Sequence, residues 1–198
     1  MSTISTRELP VFETERLILR GVQPCDFDSY QKNFADYAVI QHLSSGVPWP
    51  YPEKGVQSFI ESVIFPIQGK ERWLWVIVEK ENQAEVIGAI DLWRNGIPEH
   101  RGFWLARKCW GKGYMTEAVK PVLDYAFEQL GFEVLIFSNA KGNERSRRIK
   151  EKTGATYLYD IPSRLHHPAY TESEIWELKK EDWQRLNILP HKQRNNGS

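Results

Sequence analysis

Leu105-Ala106-Arg107-Lys108-Cys109-Trp110-Gly111-Lys112-Gly113-Tyr114-Met115-Thr116-Glu117-Ala118 is the stretch that decides the fold. A strand-like run ends, glycines at alternate positions turn the chain, and an amphipathic helix begins. Glycine lets a backbone approach a ligand closely and aim successive N–H groups outward. With a helix N-terminus directly behind, such a turn makes a seat for a phosphate or pyrophosphate. Lys108 and Lys112 add positive charge there. Alone, a G-x-G pair marks only a tight turn, so its surroundings decide.

Downstream, Ala118, Val119, Val122, Leu123, Ala126 and Leu130 form the stripe of a helix from about Thr116 to Leu130. Pro121 predicts a bend or a late start, and Gly131 a stop. A short strand follows at Val134–Phe137. Asn143 then N-caps a helix to Lys152 that carries five basic residues, Arg145, Arg147, Arg148, Lys150 and Lys152. Such a run reads as a solvated face or as a site for an anionic cofactor. Strands at Tyr157–Ile161 and Ser173–Leu178 close the chain.

Upstream, Arg101–Arg107, Glu85–Trp93 and Arg72–Glu79 are dense in Val, Ile and Trp and read as a meander of strands. Val56, Phe59, Ile60, Val63 and Ile64 repeat at helical spacing, after an extended loop holding Pro48, Pro50 and Pro52. Phe27, Tyr30, Phe34 and Tyr37 mark an earlier helix capped near Asp26 or Asp28, and Leu17–Arg20 a first strand. The resulting order predicts an α/β (α+β) single domain with a mixed, mostly antiparallel sheet of six to seven strands and helices on both faces. The domain is expected over residues 1–188, with a polar tail at 189–198.

The two informative stretches, G-K-G-Y-M-T-E-A (Gly111–Ala118) and N-x-x-S-x-x-I-x-E-K-x-G (Asn143–Gly154), together with E-T-E-R-L-I-L-R (Glu13–Arg20) and P-W-P-Y (Pro48–Tyr51), resemble the GNAT acetyltransferase superfamily, most closely its RimJ/RimL-like branch. The likeness runs from about Phe12 to Trp183. It implies acetyl-CoA as cofactor and acetylation of a protein N-terminus or similar amine. The backbone of Gly111, Lys112, Gly113, Tyr114, Met115 and Thr116 would hold the CoA pyrophosphate, with Lys108 nearby. Leu105, Ala106 and Arg107 would pair with the pantetheine arm as another strand would. Asn143 would hydrogen-bond that arm, and Ser146 would lie near the thioester sulfur. The resembled branch commonly forms homodimers.

Two positions depart from the pattern. A tyrosine acid is usual two residues before the lysine of E-K-x-G; here Lys150 stands there, which leaves Ser146 to protonate the departing thiolate. Ala155 replaces a phenylalanine, which touches packing rather than chemistry. The amine needs a base. Glu99, Asp91 and His100 are the candidates, in that order: Glu99 and His100 just before the cofactor strand, Asp91 amid apolar strand residues. Cys109 reads as a buried small hydrophobe.

Composition narrows the rest. The 26 basic and 26 acidic residues cancel, so nothing argues for direct nucleic-acid binding. Two cysteines make no disulfide framework, no apolar run could span a bilayer, and Met1–Pro10 lacks a signal peptide's apolar region. A cytoplasmic protein without a metal is expected. Eight tryptophans suit a bulky core, or one or two of them, Trp93 and Trp104, wall a substrate cleft. The principal reading is an acetyl-CoA-dependent N-acetyltransferase using direct attack; the alternative is a non-catalytic CoA-binding regulatory module.

Overall fold

The computed structural model describes residues 8–95 and 99–188; the expectations for the polar tail and for the first seven residues lie outside them. Strand β1 (Phe12–Glu13) pairs with β2 (Leu17–Gly21), where Leu17 and Leu19 point into the core. β3 (Arg72–Glu79) and β4 (Asn82–Trp93) form the central hairpin, and β5 (Arg101–Leu105) lies beside β4. Trp73 to Val78 and Val86 to Leu92 are buried without interruption, so these strands show no two-residue alternation. That is the signature of strands covered on both faces.

Helix α1 (Phe27–Phe34) packs on β4 and is followed by the short α2 (Tyr37–Ile40). α3 (Gly55–Phe59) runs on into a π-turn over Ile60–Ile64. The wider turn shifts the buried face. Val56, Ile60 and Ile64 are buried, while Val63, expected in the stripe, is 37% exposed. α4 (Tyr114–Glu128) begins earlier than expected and continues through Pro121, its stripe from Met115 to Phe127 buried. β6 (Val134–Ala140), α5 (Glu144–Lys152), β7 (Thr156–Pro162), β8 (Glu172–Lys179) and α6 (Lys180–Ile188) complete the chain.

The expected α/β class is borne out. The strands fall into two sheets, ordered β1-β2-β3-β4-β5 and β6-β8-β7, with every described pairing antiparallel. β5 and β6 share no ladder among the described residues and meet at one point. There His100 N–H donates to the Ile136 carbonyl (2.8 Å) and Ile136 N–H donates to His100 Nδ1 (3.0 Å). Beyond that clasp the strands part and leave a cleft. Among the described residues no helix is long and apolar enough to cross a membrane.

Candidate active site

The cleft is a cavity of about 490 Å³, within the range of small-molecule sites. Its lining runs from Gly111, Gly113, Tyr114, Met115 and Thr116 along Trp104 and Leu105 to Glu99 and Arg101, and across to Ser138, Asn139, Asn143, Ser146 and Lys150.

At one end, Gly111 and Gly113 adopt positive φ of 76° and 80°, and a Cβ on Gly111 would meet no atom within 4 Å. The turn is therefore open above its amides. Gly113 is the N-cap of α4, so the first-turn N–H groups have no intrahelical partner. Arg16 fixes this turn: its guanidinium donates to the Lys112 carbonyl (3.0 Å) and pairs with Glu117 (2.6 Å). Tyr114 Oη donates to Glu79 (2.5 Å). Arg16 and Glu117 both belong to quoted motifs, yet only the fold shows that they tie the first strand to the glycine turn.

Along the floor, the expected strand to Arg107 stops at Leu105, and Arg107–Cys109 curls into a 3-10 turn. Ala106 N–H is used by Ile87 of β4 at 2.7 Å. By antiparallel alternation the backbone groups of Phe103 and Leu105 face away from β4, into the cleft. The Leu105 carbonyl already accepts from the Trp110 indole (2.7 Å), which leaves the Leu105 N–H. Ala106, Arg107, Lys108 and Lys112 are not part of the cavity lining, and Lys108 pairs with Glu85 at 2.5 Å.

On the opposite wall, Asn143 Oδ1 accepts the Ser146 N–H (3.3 Å), the expected N-cap. Ser146 is 8% exposed, and Lys150, one turn on and 1% exposed, donates from Nζ to Ser146 Oγ at 2.9 Å. Burial, then the charge of Arg101, pulls Lys150 well below the usual lysine range. Arg101 itself is buried, and burial lowers it to about 9, so it stays cationic at neutral pH. Sequence reasoning missed Arg101, which resembled any strand start, and noted Lys150 as one of five basic helix residues and as the replacement for a tyrosine.

The three base candidates separate in space. Glu99 lines the cavity and accepts a hydrogen bond from Ser138 Oγ. Asp91 lies outside the lining and is held bidentately by Arg72 at 2.5–3.0 Å. Burial pushes it up to about 6, with Arg72 pulling the other way. His100, also outside, uses Nδ1 in the β5–β6 clasp, and burial lowers it. Of the two tryptophans, Trp104 lines the cavity with its indole N–H on Tyr30 Oη (2.9 Å), whereas Trp93 lies outside it, against Gly102 and Arg72. Cys109 is buried at 2%, and burial raises its thiol.

Residues 16–156 match the family described as Acetyltransferase (GNAT) domain. Over 92 residues the chain is 32% identical to the FsC-acetyl coenzyme A-N(2)-transacetylase of Aspergillus fumigatus, covering 43% of this chain and 37% of that protein. It is 26% identical over 151 residues to the uncharacterized N-acetyltransferase YoaA of Bacillus subtilis, covering 73% of this chain and 82% of that one. The matches to the first three curated relatives span 37% to 53% of their length. Mycobacterium smegmatis RimJ, solved with CoA-disulfide, superposes with a TM-score of 0.74 at 16% identity, over 94% of this chain and 96% of that one. The likeness to the RimJ-type fold is thereby borne out.

Proposed function

The chain belongs to the GNAT acetyltransferase family, and on that premise we propose that it moves the acetyl group of acetyl-CoA onto a primary amine by direct attack. The observation that carries this reading is the single cavity whose lining joins the glycine turn, Leu105 and the buried hydroxyl of Ser146. Acetyl-CoA, when bound, supplies the activated acyl group. The residues present fit it: an open amide turn at a helix N-terminus for the pyrophosphate, then the Leu105 N–H and the Asn143 side chain for the pantetheine arm.

The chain's own work is then positioning and proton traffic. Glu99, the carboxylate in the lining, accepts the proton that the amine sheds as its C–N bond forms. Ser146 gives its hydroxyl proton to the sulfur as the C–S bond breaks. Lys150 Nζ donates to Ser146 Oγ and so occupies that oxygen as an acceptor, which leaves the serine proton free to point away from the lysine. No covalent thiol is needed, in keeping with the buried Cys109.

The test is thiol release from acetyl-CoA against N-terminal peptides, amino acids and small amines, with Ser146→Ala in parallel. Release with one acceptor class, reduced about 100-fold in kcat by the substitution, is the expected result for loss of a positioned general acid. Tight acetyl-CoA binding with no acceptor modified would favour a binding module instead.

A further inference from the structure

The transferase reading leaves one charged group without a task, and this inference rests on that reading. Arg101 is 3% exposed and lines the cavity, and among the described residues its Nε, Nη1 and Nη2 have no hydrogen-bond partner. Its guanidinium lies 3.9 Å from the centroid of Phe137 and 5.2 Å from that of Phe103. Lys150 Nζ lies 5.7 Å from the same Phe103 ring. Two buried basic side chains thus share one aromatic neighbour, and neither makes an ion pair with a carboxylate among the described residues. A buried, unpaired guanidinium is costly and rare in a folded chain. Its planar fork matches an oxyanion bidentately.

The position of Arg101 selects among anions. The seat for the CoA phosphates is at the Gly111–Gly113 turn, beyond the C-terminal end of β5. Arg101 begins that strand, four residues before Leu105 and so about 13 Å from it in extended chain. Glu99 lies two residues before Arg101 and also lines the cavity, yet it bonds to Ser138 rather than to Arg101. Glu99 and Arg101, two residues apart in the chain, thus both line this cleft, and Arg101 has no hydrogen-bond partner among the described residues.

We propose that Arg101, with Lys150 beside it, binds a carboxylate carried by the acceptor, so that the acceptor is a free amino acid whose amine lies toward Glu99. The reaction balances as for any amine: one C–N bond forms, one C–S bond breaks, and the ammonium proton leaves to Glu99. The acceptor's carboxylate is a spectator that fixes orientation.

The experiment compares free amino acids with their amides in the wild-type chain, measuring kcat/KM for thiol release at saturating acetyl-CoA. At least one free acid should exceed its amide by about thirtyfold, the scale of a charge-assisted pair. In Arg101→Met that ratio should fall to about threefold or less, while calorimetric binding of CoA reports that the variant is folded. Arg101→Lys should retain part of the preference. Equal rates for acid and amide in the wild type overturn the proposal while the transferase stands, and this arm needs no variant. Peptides acetylated as fast as free amino acids overturn it as well. So does a loss in Arg101→Met that strikes acid and amide alike, which would assign Arg101 to the acetyl group instead. If acetyl-CoA binds and no amine of any kind is modified, both readings fall.

Discussion

Lys150→Met isolates the contact on which the proposed proton traffic depends. Lys150 Nζ is 2.9 Å from Ser146 Oγ, inside a wall where the lysine is 1% exposed. Leaving a buried polar group without its partner costs about 1–3 kcal/mol. At 1.36 kcal/mol for each factor of ten, its loss beside the proposed acid lowers kcat roughly 5- to 150-fold. The same substitution removes a buried amine that stands in the field of Arg101, with an apolar chain of similar length in its place. Stability should therefore hold or rise, since replacing buried polar or charged groups by well-packed apolar atoms is often neutral or favourable. Affinity for CoA should change by less than about threefold, because the proposed phosphate seat is on another element. Steady-state thiol release at saturating acceptor gives kcat, and the place of Lys150 beside Arg101 shows separately in the acceptor KM. Thermal melts complete the set. A kcat within about twofold of wild type refutes the reasoning. So does a loss of activity that merely follows a fall in Tm.

Two further substitutions probe the frame. A Cβ on Gly88 would lie 2.6 Å from the Trp104 carbonyl and 3.0 Å from Leu105 Cδ1, so Gly88→Ala should cost about 1–3 kcal/mol and raise the KM for acetyl-CoA by displacing Leu105; an unchanged KM would show that the floor tolerates the shift. His100 is lowered by burial from 6.5, so its folded-state pKa lies below the unfolded one, and its contribution is present above 6.5 and lost as pH falls through the folded value. His100→Gln keeps an acceptor for Ile136 N–H without titrating, so the acid-side fall in Tm below pH 6.5 should be shallower in the variant; parallel acid limbs would refute the clasp as its origin.

Local chemistry made much of this legible in the chain. The glycine turn, the α4 stripe, the β3–β4 hairpin and the Asn143 cap are all short-range patterns, and each lies where the residues place it. What the chain hides is long-range pairing. Nothing in Arg101–Leu105 or Val134–Ala140 announces that these strands part after one clasp, because separation is the absence of a ladder rather than a residue type. Val63 failed as a core residue because the π-turn changed the period within a single apolar run. The basic run of α5 divides unevenly. The half-exposed Arg147 pairs with exposed Glu151 and with buried Glu174, whereas Lys150 turns inward at the spacing that also buries Ser146 and Thr153. A polar residue four positions after a candidate acid was the available signal, and the overall charge of the helix obscured it.

Strand parity then explains which candidates can share the chemistry. Asp91 stands opposite Gly102 and Ala89 opposite Trp104, so these residues, with Trp93, face the α1 side of the sheet. There the polar groups are already satisfied: Asp91 by Arg72, and the Trp104 indole by Tyr30. Arg101, Phe103 and Leu105 occupy the alternate positions and face α5, where Lys150 approaches Phe103. Asp91, on the first face, is held by Arg72 and lies outside the cavity lining. Arg101, on the second face, has no hydrogen-bond partner among the described residues and lines the cleft. The same sheet thus carries a paired polar network on one face and, on the other, the Arg101 guanidinium that lines the cavity beside Phe103 and Leu105.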